Sequence, residues 1–77
     1  MTVDTMIENF RWNILCLRVI YKLSKKEMAA RLGTSVSSLR KLEAGGPLPR
    51  FSYLILYRAS AAFHVSPGRL LDIEPYL

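Results

Sequence analysis

Cysteine is nearly absent from these 77 residues. Cys16 stands alone, so no intrachain disulfide can form, and a reducing cytoplasm is the expected setting. Histidine is as scarce: His64 is the single one, and the chain shows neither paired catalytic carboxylates nor a glycine-rich loop that could cradle a phosphate. No enzyme, metal or cofactor is expected. Cys16 lies on an apolar helical stripe with no histidine nearby in sequence, so it reads as a small hydrophobe rather than a nucleophile or metal ligand. Long apolar runs are also missing. The apolar-rich segment from Phe10 to Tyr21 is too short to span a bilayer and is interrupted by Arg11 and Arg18. It lacks the basic start and small-residue cleavage site of a signal peptide, so a soluble, intracellular chain is expected. No repeat, low-complexity tract or linker appears, nor any alternation of apolar and polar residues long enough for a sheet.

Acids are the remaining shortage. Six Asp and Glu face eleven Lys and Arg, giving a net charge of +5 and a pI near 9.8. The bias is local: between Arg18 and Arg50 lie eight basic residues (Arg18, Lys22, Lys25, Lys26, Arg31, Arg40, Lys41, Arg50) and two acidic ones (Glu27, Glu43). A basic middle between near-neutral flanks suits nucleic acid or an acidic membrane surface, or is simply a solvated basic face. Hydrophobic residues, by contrast, are abundant at 51%. A chain this short buries only about 60% of its unfolded surface. The surplus points to a second buried surface, such as a dimer interface.

Helical periodicity dominates, and five helices are expected. The first runs from about Thr5 to Lys22, with one apolar stripe at Phe10, Ile14, Leu17 and Tyr21 and a second at Trp12, Leu15, Cys16 and Val19. The second follows Ser24, with Glu27 completing a capping box; Met28, Ala29 and Leu32 face inward, and Gly33 ends it. The third starts from Thr34 or Ser35, carries Val36, Leu39 and Leu42, and stops at Gly45 and Gly46. Two short helices joined by a tight glycine-containing turn have the geometry of a helix-turn-helix. After a loop containing Pro47 and Pro49, the fourth helix spans about Phe51 to Phe63, with Leu54, Tyr57 and Ala61 on its buried face and small residues at 59–62. The fifth opens at Ser66 with Pro67 in its first turn and turns Leu70 and Leu71 inward.

The stretch LSKKEMAARLGTSVSSLRKLEAG from Leu23 resembles the helix-turn-helix of the lambda-repressor-like (Cro/cI-type) family, and HVSPGRLLD is similar to that family's closing helix. The resemblance covers roughly residues 10–72, leaving 1–9 as an N-terminal extension or the start of helix one and 73–77 as a tail. It implies a compact all-α, five-helix domain that binds double-stranded DNA and regulates transcription, most simply as a repressor. The recognition helix is then about 35–44. Base contacts are expected from Ser35, Val36, Ser37, Arg40 and Lys41, because a recognition helix presents its N-terminal half to base edges and Arg or Lys can donate to guanine. Val36 departs from the family's usual polar residue; it either packs on a thymine methyl or belongs to the core. Phosphate contacts are expected from Lys25, which replaces a common glutamine, and from Lys26 and Arg50. The resemblance also makes Arg18 and Glu43 a structural ion pair between the first and third helices. His64 falls where the family usually has glycine, and histidine tolerates that backbone better than most residues.

A second reading keeps the fold and replaces DNA with protein. Trp12, Leu15, Cys16 and Val19 occupy positions often polar in the family, so they form a candidate dimer or partner face. A homodimer over two half-sites fits it best; an antitoxin or a subunit of a heteromeric regulator is the alternative. A membrane-surface role is weaker, since the basic residues gather on the motif rather than on one amphipathic helix.

Overall fold

The computed structural model describes residues 2–46, 48 and 52–72. It contains α1 (Val3–Ile20), α2 (Lys25–Leu32), α3 (Val36–Ala44), α4 (Ser52–Phe63) and α5 (Pro67–Leu70), with no strand among the described residues. The all-α, five-helix architecture is therefore as expected from the sequence.

The helix ends follow from local chemistry. Thr2 caps α1 by accepting from the Thr5 N–H at 3.1 Å, so the helix starts at Val3 rather than near Thr5. It stops at Ile20 rather than Lys22, because Lys22 takes the left-handed conformation (φ 55°) and the Leu23 N–H bonds back to the Arg18 carbonyl at 2.9 Å. Tyr21, expected on the core stripe, is consequently half-exposed and lays its ring against Phe63, with centroids 5.0 Å apart. Ser24 and Glu27 form the full capping box at the start of α2, each accepting the other's backbone N–H at 3.1 Å. Ser66 caps α5, with Pro67 in its first turn.

One continuous core joins the helices. Phe10, Ile14 and Leu17 of α1 meet Met28, Ala29 and Leu32 of α2, Leu39 and Leu42 of α3, Ile55, Ala59 and Phe63 of α4, and Leu70 of α5. Each fully buried Leu, Ile, Met or Phe stabilises by roughly 1.5–3 kcal/mol relative to exposure. Leu71 and Val36 pack against this core from its edge.

The inward face of α4 differs from expectation. Leu54, Tyr57 and Ala61 are exposed, Tyr57 by 59%, while Ile55, Ala59 and Phe63 are buried. The segment SYLILYRASAAF is apolar around most of its circumference, so periodicity alone fits either phase. The adopted phase turns Phe63 inward, puts the small Ala59 in the core, and carries Arg58 to the end of α2.

That last contact lies at one of three helix C-termini whose carbonyls are satisfied by side chains from another helix. Arg58 Nη1 donates to the Gly33 carbonyl (2.9 Å) at the end of α2. Arg11 Nη1 donates to the Leu42 carbonyl (2.9 Å) in α3. Asn13 Nδ2 donates to Leu70 (2.9 Å) and Asp72 (3.1 Å) at the end of α5, with Asn9 Nδ2 on Leu71 (3.1 Å). The short helices are thereby fixed by directional bonds as well as by packing.

Candidate nucleic-acid interface

The turn between α2 and α3 sets the site. Gly33 has φ 64°, a left-handed backbone that redirects the chain; the N–H of Thr34 bonds to the Ala29 carbonyl at 2.9 Å to close it. A side chain at Gly33 would also collide with Arg58, whose Nη1 lies against the position a Cβ would take. Ala29 is 3% exposed, small enough for close helix packing. Ser35 then caps α3, its Oγ accepting from the Ser38 N–H at 3.0 Å.

In α3, Leu39 and Leu42 are wholly buried and hold the helix on the core. Ser37, Arg40 and Lys41, at helical i, i+3 and i+4 spacing, share the opposite, exposed face. Ser35 is exposed as well, but its hydroxyl is already engaged, accepting from the Ser38 N–H and bonding the Ser38 hydroxyl. Val36 is half-buried and packs against the core, which favours the second of its two expected roles.

Behind this face, α3 is held by a partly buried ion pair. Arg18 Nε and Nη2 donate to Glu43 Oε2 (2.8 Å) and Oε1 (3.1 Å), with the Glu43 side chain only 8% exposed. The two parallel bonds fix orientation as well as distance. Arg18 Nη1 also reaches the Leu23 carbonyl at 3.3 Å, tying in the chain that leads to α2.

Lys25 and Lys26 are the first two residues of α2, and both are exposed. The capping box uses the N–H groups of Ser24 and Glu27, leaving those of Lys25 and Lys26 free of it. Positive side chains sit unfavourably at the positive end of a helix dipole, so two lysines here concentrate donors and charge where an anion would be received. Arg50 lies outside the described residues.

The expected partner face is only partly on the surface. Trp12 and Val19 are each 51% exposed and Leu15 is half-buried, but Cys16 is 1% exposed and leaves that face. Cys16, one turn on from the buried Asn13, lies on the edge of the stripe that meets the interior, and burial pushes its thiol pKa up. Trp12 and Leu15 border a groove of about 200 Å³ with Glu8, Arg11, Glu43, Ala44 and Gly45. A second exposed apolar face, not anticipated, runs along α4 through Tyr53, Leu54 and Tyr57. It is the face that the expected phase of α4 would have buried.

Other chemistry is sparse. His64 closes α4 with φ 55°, exposed at the helix end. Among the described residues no three His, Cys, Asp or Glu side chains are grouped to hold a metal ion, and no helix is long and apolar enough to cross a membrane. Arg11 and Asn13 were not singled out by sequence reasoning, although both are buried and both hold other helices. The available signal was a charged and an amide side chain, flanking Trp12, inside an apolar-rich helix.

A family model described as helix-turn-helix matches residues 17–70, well over half of the chain. Neither the curated proteins nor the solved structures contain a match.

Proposed function

The chain belongs to the Cro/cI-type helix-turn-helix family of DNA-binding regulatory domains, and from that premise we propose that it is a sequence-specific repressor that places α3 in the major groove of duplex DNA. The observation that carries this reading is the division of α3. Its inner side is anchored by Leu39, Leu42 and the Arg18–Glu43 pair, while Ser37, Arg40 and Lys41 stand exposed on one face. Arg40 and Lys41 are the principal base-reading residues, each donating to guanine O6 or N7. Ser37 reads alongside them. Ser35 contributes at the groove edge once its bond to Ser38 is exchanged, and the exposed part of Val36 packs on a thymine methyl. Lys25 and Lys26, with the free N–H groups of their turn, hold a phosphate, and Arg50 a second. The protein acts without a cofactor, in the cytoplasm.

The test is a fluorescence-anisotropy titration of a random-sequence duplex at several salt concentrations, beside an Arg40→Ala, Lys41→Ala double variant. If these two phosphates and others met by the remaining basic side chains bring the total to about four or five per subunit, log K falls against log salt with a slope near −4. The double variant binds more weakly. Absence of binding at low salt by a folded chain removes the proposal.

A homodimer is the second part of the reading. Operators for such domains consist of half-sites about one helical turn apart, roughly 34–36 Å, which a two-fold pair matches. Trp12, Leu15 and Val19 remain the proposed face, now without Cys16; the exposed Tyr53, Leu54 and Tyr57 on α4 are its rival. Sedimentation of Trp12→Ser and Tyr57→Ser variants distinguishes the two, because only the true interface returns a monomer. If the chain binds no DNA, the same α1 face is proposed to take a different protein, as an antitoxin or a subunit of a heteromeric regulator would.

A further inference from the structure

Arg11 is the only charged residue buried among those described, at 9% exposure. Its guanidinium is spent on the end of α3. Nη1 donates to the carbonyls of Lys41 (3.1 Å) and Leu42 (2.9 Å), and Nη2 to that of Gly46 (2.6 Å). Nε makes no hydrogen bond and lies 3.6 Å from Glu8 Oε1, whose side chain is 74% exposed. A helix leaves its last carbonyls without intrahelical partners, and a cation there also meets the negative end of the helix dipole. Arg11 meets both needs from a neighbouring helix, so its bonds set where the end of α3 lies relative to α1.

The placement of these bonds gives them a consequence for DNA. Arg18 holds α3 through the Glu43 side chain, and Arg11, two turns earlier on α1, holds it through the backbone at 41, 42 and 46. The two tethers leave α1 two turns apart and both meet the C-terminal end of α3, one at a side chain and one at the backbone, so together they fix how that end is oriented on α1. The carbonyl that Arg11 grips at Lys41 belongs to a residue whose own side chain stands on the exposed face. Gly46, held by the same guanidinium and by its N–H on the Lys41 carbonyl (3.0 Å), begins the loop toward α4.

We propose that Arg11 is a positioning residue for base readout: through the carbonyls of Lys41, Leu42 and Gly46 it fixes the tilt at which α3 presents Arg40 and Lys41 to the major groove. This rests on the DNA-binding reading of α3. Hydrogen bonds to base edges weaken steeply with misalignment, whereas attraction to phosphates is tolerant of it. Loss of Arg11 therefore erodes discrimination between sequences and spares non-specific affinity. A purely structural role would lower both together, in proportion to the folded fraction.

The test compares the wild-type chain with Arg11→Met, which keeps an unbranched stem without donors, and Arg11→Lys, which keeps the charge without the planar fork. Binding is measured to a duplex selected in vitro by the wild type and to a random duplex, at a temperature where circular dichroism shows each variant folded. For Arg11→Met the selected-to-random affinity ratio falls about tenfold, the discrimination of one good base contact. Random-duplex affinity stays within about twofold and the salt slope is unchanged. Arg11→Lys falls between, by roughly threefold, because an ammonium cannot span three carbonyls as a fork does; it carries the test alone if Arg11→Met does not fold. An unchanged ratio, or equal losses on both duplexes, overturns the positioning role and leaves the DNA reading standing. A wild type that binds neither duplex at low salt removes the DNA reading, and the positioning role with it.

Discussion

Replacing Gly33 by alanine tests the turn on which the whole site is built. Two separate effects act at this position. The backbone sits at φ 64°, where a Cβ meets the following carbonyl and a non-glycine residue loses about 1–2 kcal/mol. The new Cβ also falls on the Arg58 guanidinium, 2.8 Å from Cζ and 3.1 Å from Cδ, so that side chain must withdraw and release the Gly33 carbonyl. The lost bond is exposed, so its share is about 1 kcal/mol rather than the larger value of a buried charged bond. The sum, about 2–3 kcal/mol, lowers the melting temperature by roughly 10–20 °C in a domain of this size. Urea unfolding followed by circular dichroism measures it, in a cycle with Arg58→Ala. Arg58→Ala alone costs about 1 kcal/mol. In its background Gly33→Ala costs only the backbone part, about 1–2 kcal/mol, so the two changes couple by about 1 kcal/mol. Identical costs for Gly33→Ala in the two backgrounds would refute the contact between them.

Three further changes probe other parts of the account. Glu43→Ala leaves Arg18 largely buried without its carboxylate and destabilises by about 3 kcal/mol, read from the shift in urea midpoint at constant m-value. Lys22→Gly and His64→Gly each relieve a left-handed backbone and raise stability by up to about 1 kcal/mol, a gain that thermal melts resolve. The capping box makes stability depend on pH: hydrogen bonds from Ser24 hold the Glu27 carboxyl below its ordinary 4.5, so its contribution is complete above that value and fades as pH falls through the lowered one. Glu27→Gln keeps a capping side chain that does not titrate. The advantage of wild type over this variant in melting temperature therefore shrinks between about pH 5 and pH 3.

The helix ends were the most legible part of the sequence, because each rests on a few neighbouring residues. Ser24 with Glu27, Gly33, Ser35, Gly45, and Ser66 with Pro67 each act where local chemistry places them. The Arg18–Glu43 pair was reached through family resemblance, since nothing local joins residues 25 apart. What stayed hidden depends on tertiary choice. The phase of α4 was ambiguous because its segment is apolar on several sides, and Phe63, Ala59 and Arg58 decide it through partners elsewhere in the chain. The end of α1 was overrun because Lys22 has no side-chain mark of a left-handed residue. Cys16 was assigned to the wrong face because a helix buried on two sides does not say which stripe is covered. In the sequence Arg11 reads as an interruption of an apolar segment, and Asn13 carries no mark of its own. Their role appears only when the carbonyls they satisfy, about 30 and 57 residues away in sequence, are brought beside them.

The most direct test of the central claim is to map the duplex onto the chain by backbone-amide NMR during a titration with DNA. The largest shifts are expected on Ser37, Arg40 and Lys41 of α3 and on Lys25 and Lys26 at the start of α2, with Trp12, Leu15 and Val19 unmoved by the DNA contact. Shifts centred on the α1 face, or none at low salt, would contradict it.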